Sequence, residues 1–443
     1  MQNRQKDCLE VGQELKGKIH DHSARLGVIG LGYVGLPLAV EMVKAGFQVT
    51  GIDIDRRKVE SLNAGISYVL DVPSDTLLAS VTEGKLRATQ SLAIIRNLDT
   101  ISICVPTPLR KTRDPDLSYV IAAVEAVRNH LRPGQLIILE STTYPGMTQE
   151  VVLPVLEKTG LRVGKDFFLA FSPERIDPGN QTYTTRNIPK VIGGVTPQCT
   201  ELATLLYQRF VEQVVPVSSP GTAEMVKLLE NTFRSVNIAL ANEMALMCQA
   251  LGINVWEVIE AARTKPFGFM AFYPGPGLGG HCIPVDPHYL TWKARLNGLE
   301  PRLIEVAGQI NSLMPSFAVT RVTDALNDRQ KSLKGSKILA LGVAYKRDVN
   351  DLRESPALEV LYKLHEKGAL VSYADPHVAT VELDGQVKHS LELTPELLRA
   401  MDCAVMLTDH SAFDYAMIAS HSSLIIDCRN ALRDFSGPHI VRL

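Results

Sequence analysis

Arg25-Leu-Gly-Val-Ile-Gly-Leu-Gly-Tyr-Val-Gly35 is the stretch whose reading decides the fold. Residues 26–29 read as a short buried strand, Gly30-x-Gly32-x-x-Gly35 as a tight turn, and 36–45 as an apolar helix. A second strand, 47–52, ends at Asp53. A lone G-x-G-x-x-G says little. Between a strand and a helix, with an acidic residue about 20 positions on, it is the dinucleotide-binding fingerprint. Gly30 makes the turn, Gly32 lets a pyrophosphate approach, and Gly35 lets helix and strand pack closely. Tyr33 and Val34 belong to the same cofactor loop, and the helix N-terminus holds the phosphates. Asp53 would accept hydrogen bonds from the adenine ribose and repel a 2′-phosphate, which favours NAD; Arg56 and Arg57 leave NADP open.

Downstream the alternation of strand and helix continues. Residues 100–105 form a strand ending in Pro106-Thr107-Pro108, 118–130 a helix, and 135–140 a strand ending in Ser141-Thr142-Thr143. Strand 167–171 ends in Ser172-Pro173-Glu174-Arg175, and 191–193, 197–210 and 213–217 follow as strand, helix and strand. The pattern predicts a parallel, doubly wound sheet, with ligands beyond the C-terminal strand ends. Thr107, Ser141, Thr142 and Glu174 lie there, although each also suits a cap or turn. Residues 222–249 read as one long helix on which Lys227 and Asn231, four apart, share a face. A lysine among apolar residues is as readily a snorkelling surface lysine as a catalytic one. From 331 onward a second α/β unit appears without a G-x-G-x-x-G, and Lys346, Arg347 and Arg353 offer phosphate-binding charge or ordinary surface solvation.

Composition bounds the function. A chain of 443 residues with 45% hydrophobic and 21% charged residues is of ordinary globular make-up and holds two or three domains. A net charge of −2 gives no bulk basicity for nucleic acid or anionic membrane. No apolar run reaches the roughly 18 residues of a membrane span. The N-terminal residues are polar and carry no apolar signal core. Seven scattered cysteines lack metal spacing, so no metal is expected, and free thiols in a reduced cytoplasm are. One of them stands apart. Tyr273-Pro-Gly-Pro-Gly-Leu-Gly-Gly-His-Cys282 is too rich in glycine and proline for helix or central strand, and its glycines let a ligand come close to the thiol. Cys282 is either a nucleophile there or an inert loop thiol.

Taken together, these pieces resemble the nucleotide-sugar 6-dehydrogenases, the family of UDP-glucose and UDP-N-acetylhexosamine dehydrogenases. The likeness spans nearly all of residues 25–430 and rests on a combination of motifs. They are Gly30-x-Gly-x-x-Gly35, Val105-Pro-Thr-Pro108, Glu140-Ser-Thr142, Ser172-Pro-Glu174, Lys227-x-x-x-Asn231, Gly279-Gly-His-Cys282-x-x-x-Asp286 and Tyr345-Lys346 with Arg353-Glu-Ser355. The resemblance implies an α/β chain: a polar arm (1–24), a Rossmann-type NAD domain (25–217), a central helical and dimerisation region with the cysteine loop (218–330), and a Rossmann-like UDP domain (331–443). It implies a cytoplasmic homodimer that makes precursors of surface polysaccharide. It places Cys282, Lys227, Asn231, Asp286, Glu174 and Thr142 in the reaction centre. Gly30, Gly32, Tyr33, Val34, Gly35, Asp53, Thr107, Ser141, Thr142 and Arg353 fall to the cofactor. Glu174, Arg175, Lys227, Asn231, Phe272, Tyr273, Gly279 and Lys346 fall to the substrate.

The chemistry agrees with these residue types. Oxidising a primary alcohol to an acid takes two hydride transfers, and an aldehyde has no hydride to give until a nucleophile adds. A Cys282 thiolate supplies a thiohemiacetal, then a thioester that water opens. Lys227 and Asn231 would stabilise the oxyanion, Asp286 with Thr142 and a water would move protons, and Glu174 is a candidate base for hydrolysis. The UDP-glucose branch carries Phe-Leu-x-Glu-Gly after the glutamate, whereas this chain reads Arg175-Ile-Asp-Pro-Gly179, so sugar contacts of that branch do not carry over. The aromatic stretch 264–273 and that altered segment resemble the UDP-N-acetylglucosamine branch more than the UDP-glucose or UDP-N-acetylmannosamine branches, with UDP-N-acetylgalactosamine a further alternative. Three rivals are weaker. A 3-hydroxyacid dehydrogenase would lack Cys282 and the third region. A short-chain reductase would need Tyr289-x-x-x-Lys293 in the cofactor domain. An NAD-binding regulator would need neither Cys282 nor Lys227.

Overall fold

Continuous apolar runs of four or five residues become parallel strands, because helices cover both faces of such a sheet. The computed structural model describes residues 2–69, 71–110, 114–177, 180, 182–280 and 282–443. It divides into two compact units, Met1–Glu230 with His288–Asn297, and Asn231–Pro287 with Gly298–Leu443.

The first unit holds β1 (Arg25–Ile29), β2 (Gln48–Ile52), β3 (Leu86–Thr89), β4 (Thr100–Ile103), β5 (Leu136–Leu139), β6 (Phe168–Phe171), β7 (Lys190–Gly194) and β8 (Val214–Val217). Their order in the sheet is β3-β2-β1-β4-β5-β6-β7-β8, so the strand order reverses between β1 and β4. All pairings are parallel but one: β6 and β7 are antiparallel, through Ala170 opposite Gly194 and Phe171 opposite Gly193. The wholly parallel sheet expected from sequence is corrected at that point. Among the described residues no crossover helix separates β6 from β7, and without one a strand returns antiparallel.

Residues 1–24, polar in composition, are not a frayed arm. Gln2–His20 is a helix packed on the helix Pro197–Tyr207, and Leu15 and Ile19 are buried in the same core as Leu26, Val28 and Phe168. Its polar side is tied down by Lys16 to Glu201 at 2.6 Å.

The second unit holds β9 (Lys337–Leu341), β10 (Leu370–Ala374), β11 (Thr380–Leu383), β12 (Gln386–His389), β13 (Cys403–Met406), β14 (Ile425–Asp427) and β15 (Ile440–Arg442). The main sheet, β10-β9-β13-β14-β15, is parallel throughout; β11 and β12 form a separate hairpin. The helix Arg302–Asn327 lays Met314, Ala318, Val322 and Leu326 into the core of that sheet. The long helix runs Pro220–Leu251, and it is followed by the helix Val255–Arg263.

Because Ile19 is fully buried, Ile19→Ala should lower the unfolding free energy by about 2–4 kcal/mol, read by denaturant titration. Lys16→Ala, which removes only a part-exposed ion pair, should cost no more than about 1 kcal/mol.

Candidate active site

The cofactor turn is built as the spacing requires. Gly30 has φ +92°, and a Cβ on it would lie 2.6 Å from the carbonyl oxygen of Cys104. A Cβ on Gly35 would lie 1.9 Å from the carbonyl oxygen of Gly30, whereas Gly32 has nothing within 4 Å of such a position. Two glycines are thus locked by the strand ends, and the third leaves open the space that a pyrophosphate fits. Asp53 is buried at the end of β2, with one oxygen accepting Leu31 N–H at 2.8 Å and the other Asp55 N–H at 2.9 Å. The lone pairs that remain suit a ribose diol. Arg56 and Arg57 do not turn toward it; they pair with Glu60 and Asp55. The Ser141 hydroxyl donates to Val105 O at 2.8 Å, tying β5 to β4, and the Thr107 carbonyl accepts from the Tyr289 hydroxyl at 2.8 Å. Lys293 meanwhile pairs with Glu150, so the Tyr289-x-x-x-Lys293 spacing serves packing.

At the C-terminal edge of the same sheet lies a buried charge cluster. Glu174 follows β6, and its Oε1 accepts Arg175 N–H and Ile176 N–H at 2.8 Å each. Its Oε2 accepts from Lys190 Nζ at 3.0 Å, and Lys190 also donates to Glu140 Oε2 at 2.7 Å. The Tyr207 hydroxyl donates to the other oxygen of Glu140. Burial alone would raise the pKa of Glu174, but the Lys190 charge, its hydrogen bond and the two backbone N–H groups outweigh it and hold the carboxyl below its usual range. Glu140 is raised by burial. Arg175 reaches Glu230 at 2.6 Å and Pro189 O at 2.5 Å. Thr142 lies half-buried in the turn after β5. That turn is anchored farther on by Glu224 of the long helix, which accepts Gly146 N–H, Thr148 N–H and the Thr148 hydroxyl at 2.6, 2.9 and 2.6 Å. One turn along the helix, Lys227 is buried and among the described residues has no hydrogen-bond or ion-pair partner. A buried ammonium of that kind calls for an anion.

In the second unit Asn231 donates to Asp286 Oδ2 at 2.5 Å, and Asp286 N–H donates to Cys282 O at 2.8 Å. Of the six cysteines whose burial is described, Cys282 alone is part exposed. Burial pushes Cys104 and Cys403 far up and Cys428 up to about 12, so none of those three is a thiolate near neutral pH. The glycine loop is wedged against the C-terminal segment. A Cβ on Gly279 would lie 2.6 Å from Tyr345 Cβ, one on Gly280 would lie 2.8 Å from the Tyr345 ring, and Gly280 N–H donates to Arg353 O at 3.0 Å. Gly275 N–H donates to Asn242 of the long helix at 3.0 Å. Tyr273 stacks on Trp256 with its hydroxyl on Glu260, and Phe272 meets Phe233 edge-on. Arg353, taken from sequence as a cofactor residue, folds back on Asp351 at 2.6 Å. Lys346 follows the turn after β9 and is half-buried. His281 of the loop, and Pro178 and Gly179 of the altered segment, lie outside the described residues.

Sequence reasoning missed several groups. Lys190 opens an apolar strand, Lys-Val-Ile-Gly-Gly194, and a lysine at a buried strand start was the available signal. Glu224 had none beyond its place on an apolar helix. In the second unit Asp375, Asp348, His377 and His410 cluster, with Asp375 accepting Val343 N–H at 2.7 Å and lying 3.0 Å from His410 Nε2. The Nδ1 of His410 accepts Asp348 N–H at 3.0 Å, so neither ring nitrogen is left for a metal.

Comparison with known proteins agrees with this arrangement along the chain. Residues 24–211 match the NAD binding domain of the UDP-glucose/GDP-mannose dehydrogenase family, 221–313 its central domain, and 339–434 its UDP binding domain. The chain belongs to the UDP-glucose/GDP-mannose dehydrogenase family. It is an NAD-dependent nucleotide-sugar dehydrogenase. A UDP-N-acetyl-D-mannosamine dehydrogenase of Pyrococcus horikoshii is 37% identical over 93% of this chain and 96% of its own length. A UDP-N-acetyl-D-glucosamine 6-dehydrogenase of Pseudomonas aeruginosa is 37% identical over 90% of each. A solved UDP-D-ManNAc dehydrogenase from Pyrococcus horikoshii superposes with TM-score 0.87 and 36% identity, over 94% of this chain and 98% of its own. The expected closer likeness to the glucosamine branch is therefore not reproduced in overall identity, which is the same for the first two relatives.

In this dehydrogenase Asp53 should set cofactor choice. Asp53→Ala should narrow the ratio of kcat/KM for NAD over NADP at least tenfold while leaving NAD turnover measurable; an unchanged ratio would assign the preference elsewhere.

Proposed function

We propose that the enzyme oxidises carbon 6 of UDP-N-acetylglucosamine to UDP-N-acetylglucosaminuronic acid in two steps through Cys282, as a cytoplasmic homodimer supplying surface polysaccharide synthesis. The observation that carries the covalent route is Cys282 itself: a part-exposed thiol at the end of a wedged glycine loop, followed by the Asn231–Asp286 pair. NAD, held by the Gly30 turn, the helix behind it and Asp53, supplies the hydride acceptor for both oxidations. Thr107, Ser141, Tyr33 and Val34 complete that cofactor edge.

The roles of the side chains follow from their chemistry. In the first oxidation the alcohol loses a proton and a hydride to give the aldehyde. The Cys282 thiolate then forms a carbon–sulfur bond to the aldehyde carbon, and Lys227 and Asn231 stabilise the oxygen that becomes negative. Loss of a second hydride leaves the thioester. Water adds, the carbon–sulfur bond breaks, and the acid departs with Cys282 returned as thiolate. Asp286 and Thr142 move the protons through water, and the ionised Glu174 orients the hydrolytic water. Lys346 meets the diphosphate. Phe272, Tyr273, Gly279 and Arg175 border the sugar.

Support for the N-acetylated sugar comes from the stretch 264–273, where Phe267, Phe269 and Met270 are exposed apolar groups suited to an acetamido methyl, and from the Pseudomonas relative. The Pyrococcus relative at the same identity makes UDP-N-acetylmannosamine the second reading, ahead of UDP-N-acetylgalactosamine and UDP-glucose. Support for the dimer comes from the long helix. Leu229, Phe233, Leu240, Met247 and Leu251 recur every four or seven residues and are about half exposed or more. A stripe of that spacing is the seam by which helices associate.

Three outcomes are expected. Complete oxidation should yield two NADH per acid with no aldehyde caught by a carbonyl trap, and Cys282→Ala should abolish acid formation while nucleotide-sugar binding persists. Across a panel of UDP-sugars, kcat/KM for UDP-N-acetylglucosamine should exceed that for UDP-glucose by about 100-fold or more, as for a site that hydrogen-bonds the group. Higher efficiency with UDP-N-acetylmannosamine would select the second reading. Light scattering at micromolar concentration should give a two-chain mass, and Leu240→Arg should give one chain.

A further inference from the structure

Lys190, Glu140 and Tyr207 have no part in the reaction as described, yet they are buried together beside Glu174. The geometry explains why. The antiparallel register sets Phe171 opposite Gly193, and continued by three residues it sets Glu174 opposite Lys190. A parallel β7 would start at the other edge of the sheet, so the single reversed strand is what delivers an ammonium to the edge where β5 and β6 end. There Lys190 is 3% exposed, 2.7 Å from Glu140 and 3.0 Å from Glu174. The Glu140 oxygen that Lys190 does not use takes the Tyr207 hydroxyl, so Lys190 is held from behind as well as in front. Glu174 is fixed at both oxygens, one by two backbone N–H groups and one by Lys190.

We propose that Lys190 is the positioning residue of Glu174, and that Glu140 with Tyr207 forms the back wall that aims the Lys190 ammonium at it. The proposal rests on the reading of Glu174 as the group that orients water for thioester hydrolysis. Two carboxylates and one ammonium leave the cluster one negative charge, which resides on Glu174. The groups facing it are Glu140 from β5, Cys104 from the end of β4, Tyr207 from the helix behind, and Arg175, whose guanidinium is turned to Glu230 and Pro189 O. Cys104 and Tyr207 are pushed well up by burial and stay neutral.

The test separates oxidation from hydrolysis in a single turnover of the full-length enzyme with NAD and UDP-N-acetylglucosamine. Lys190→Met with Glu140→Gln keeps the formal charge of the cluster at minus one, so folding is not asked to bury an extra anion. This double variant should form two NADH per site as a burst, then hydrolyse the thioester at least tenfold more slowly. A carboxylate that must be ionised loses function as pH falls through its pKa. Removing a cation at hydrogen-bond distance raises that pKa, so the acid limb of hydrolysis should move up by about one pH unit or more. Glu140→Gln alone, which removes an anion and leaves Lys190 to Glu174, should move the limb down. Lys190→Arg should restore the wild-type limb. A purely structural role would not give shifts of opposite sign. Wild-type hydrolysis and limb in the double variant, with Glu174→Gln stalled after the burst, would overturn the role of Lys190. If the double variant does not fold, an unmoved limb in Glu140→Gln overturns it instead. Glu174→Gln that does not stall would overturn the reading of Glu174, and the proposal with it.

Discussion

A parallel sheet covered on both faces has no room for polar side chains along its strands, so chemistry is forced to the ends. In this chain that constraint acts at once on β1, β4, β5 and β6. Their bodies are buried and apolar, and Gly30, Cys104, Glu140 and Glu174 stand at or just beyond their last residues. The cofactor turn, the Ser141 tie and the Glu174 cluster are neighbours because the strand ends are neighbours. The reversed β7 is the exception that adds a cation to an edge otherwise supplied with anions and backbone dipoles.

The second unit answers to a different constraint, the close approach of backbone to backbone. Its cysteine loop carries glycines not for freedom but for contact: side chains at Gly279 and Gly280 would strike Tyr345. The loop is further tied to the long helix through Asn242, which is itself bonded to Asn311 at 2.9 Å. Cys282 therefore ends a segment whose course is set by packing on both sides, and a nucleophile gains from that rigidity.

Much of this could be read from residue order, and the parts that could not share a cause. The strand–turn–helix at Gly30, the long helix and the helix Arg302–Asn327 carry local signals, namely glycine spacing and apolar periodicity, and were placed to within a few residues. The pairing of Asn231 with Asp286 followed from the family likeness and not from spacing, since 55 residues separate them. What stayed hidden was non-local: the direction of β7, the anchoring of the Thr142 turn by Glu224, and the ammonium of Lys190 between two glutamates. Direction of pairing depends on what lies between strands, and partners 16 and 50 residues away leave no periodic trace. The docking of the N-terminal helix was hidden for another reason: two buried residues, Leu15 and Ile19, suffice to seat a helix that is otherwise polar.

The turn after β9 repeats the turn after β1 without repeating its motif. Gly342 has φ +79°, and a Cβ on it would lie 2.3 Å from Thr408 O, just as one on Gly30 would strike Cys104 O. Asp375 caps Val343 N–H as Asp53 caps Leu31 N–H. The two sheets thus share a hinge-pin of one glycine and one aspartate, and they differ only in what the chain does next. After Gly30 it enters a helix within a few residues; after Gly342 it spends a longer excursion carrying Lys346, Arg347 and Arg353 before the helix Pro356–Glu366. The shared pin tolerates no side chain, and the excursion tolerates many. One inflexible joint, used twice, leaves the choice of which nucleotide to hold to the length and charge of the segment hung from it.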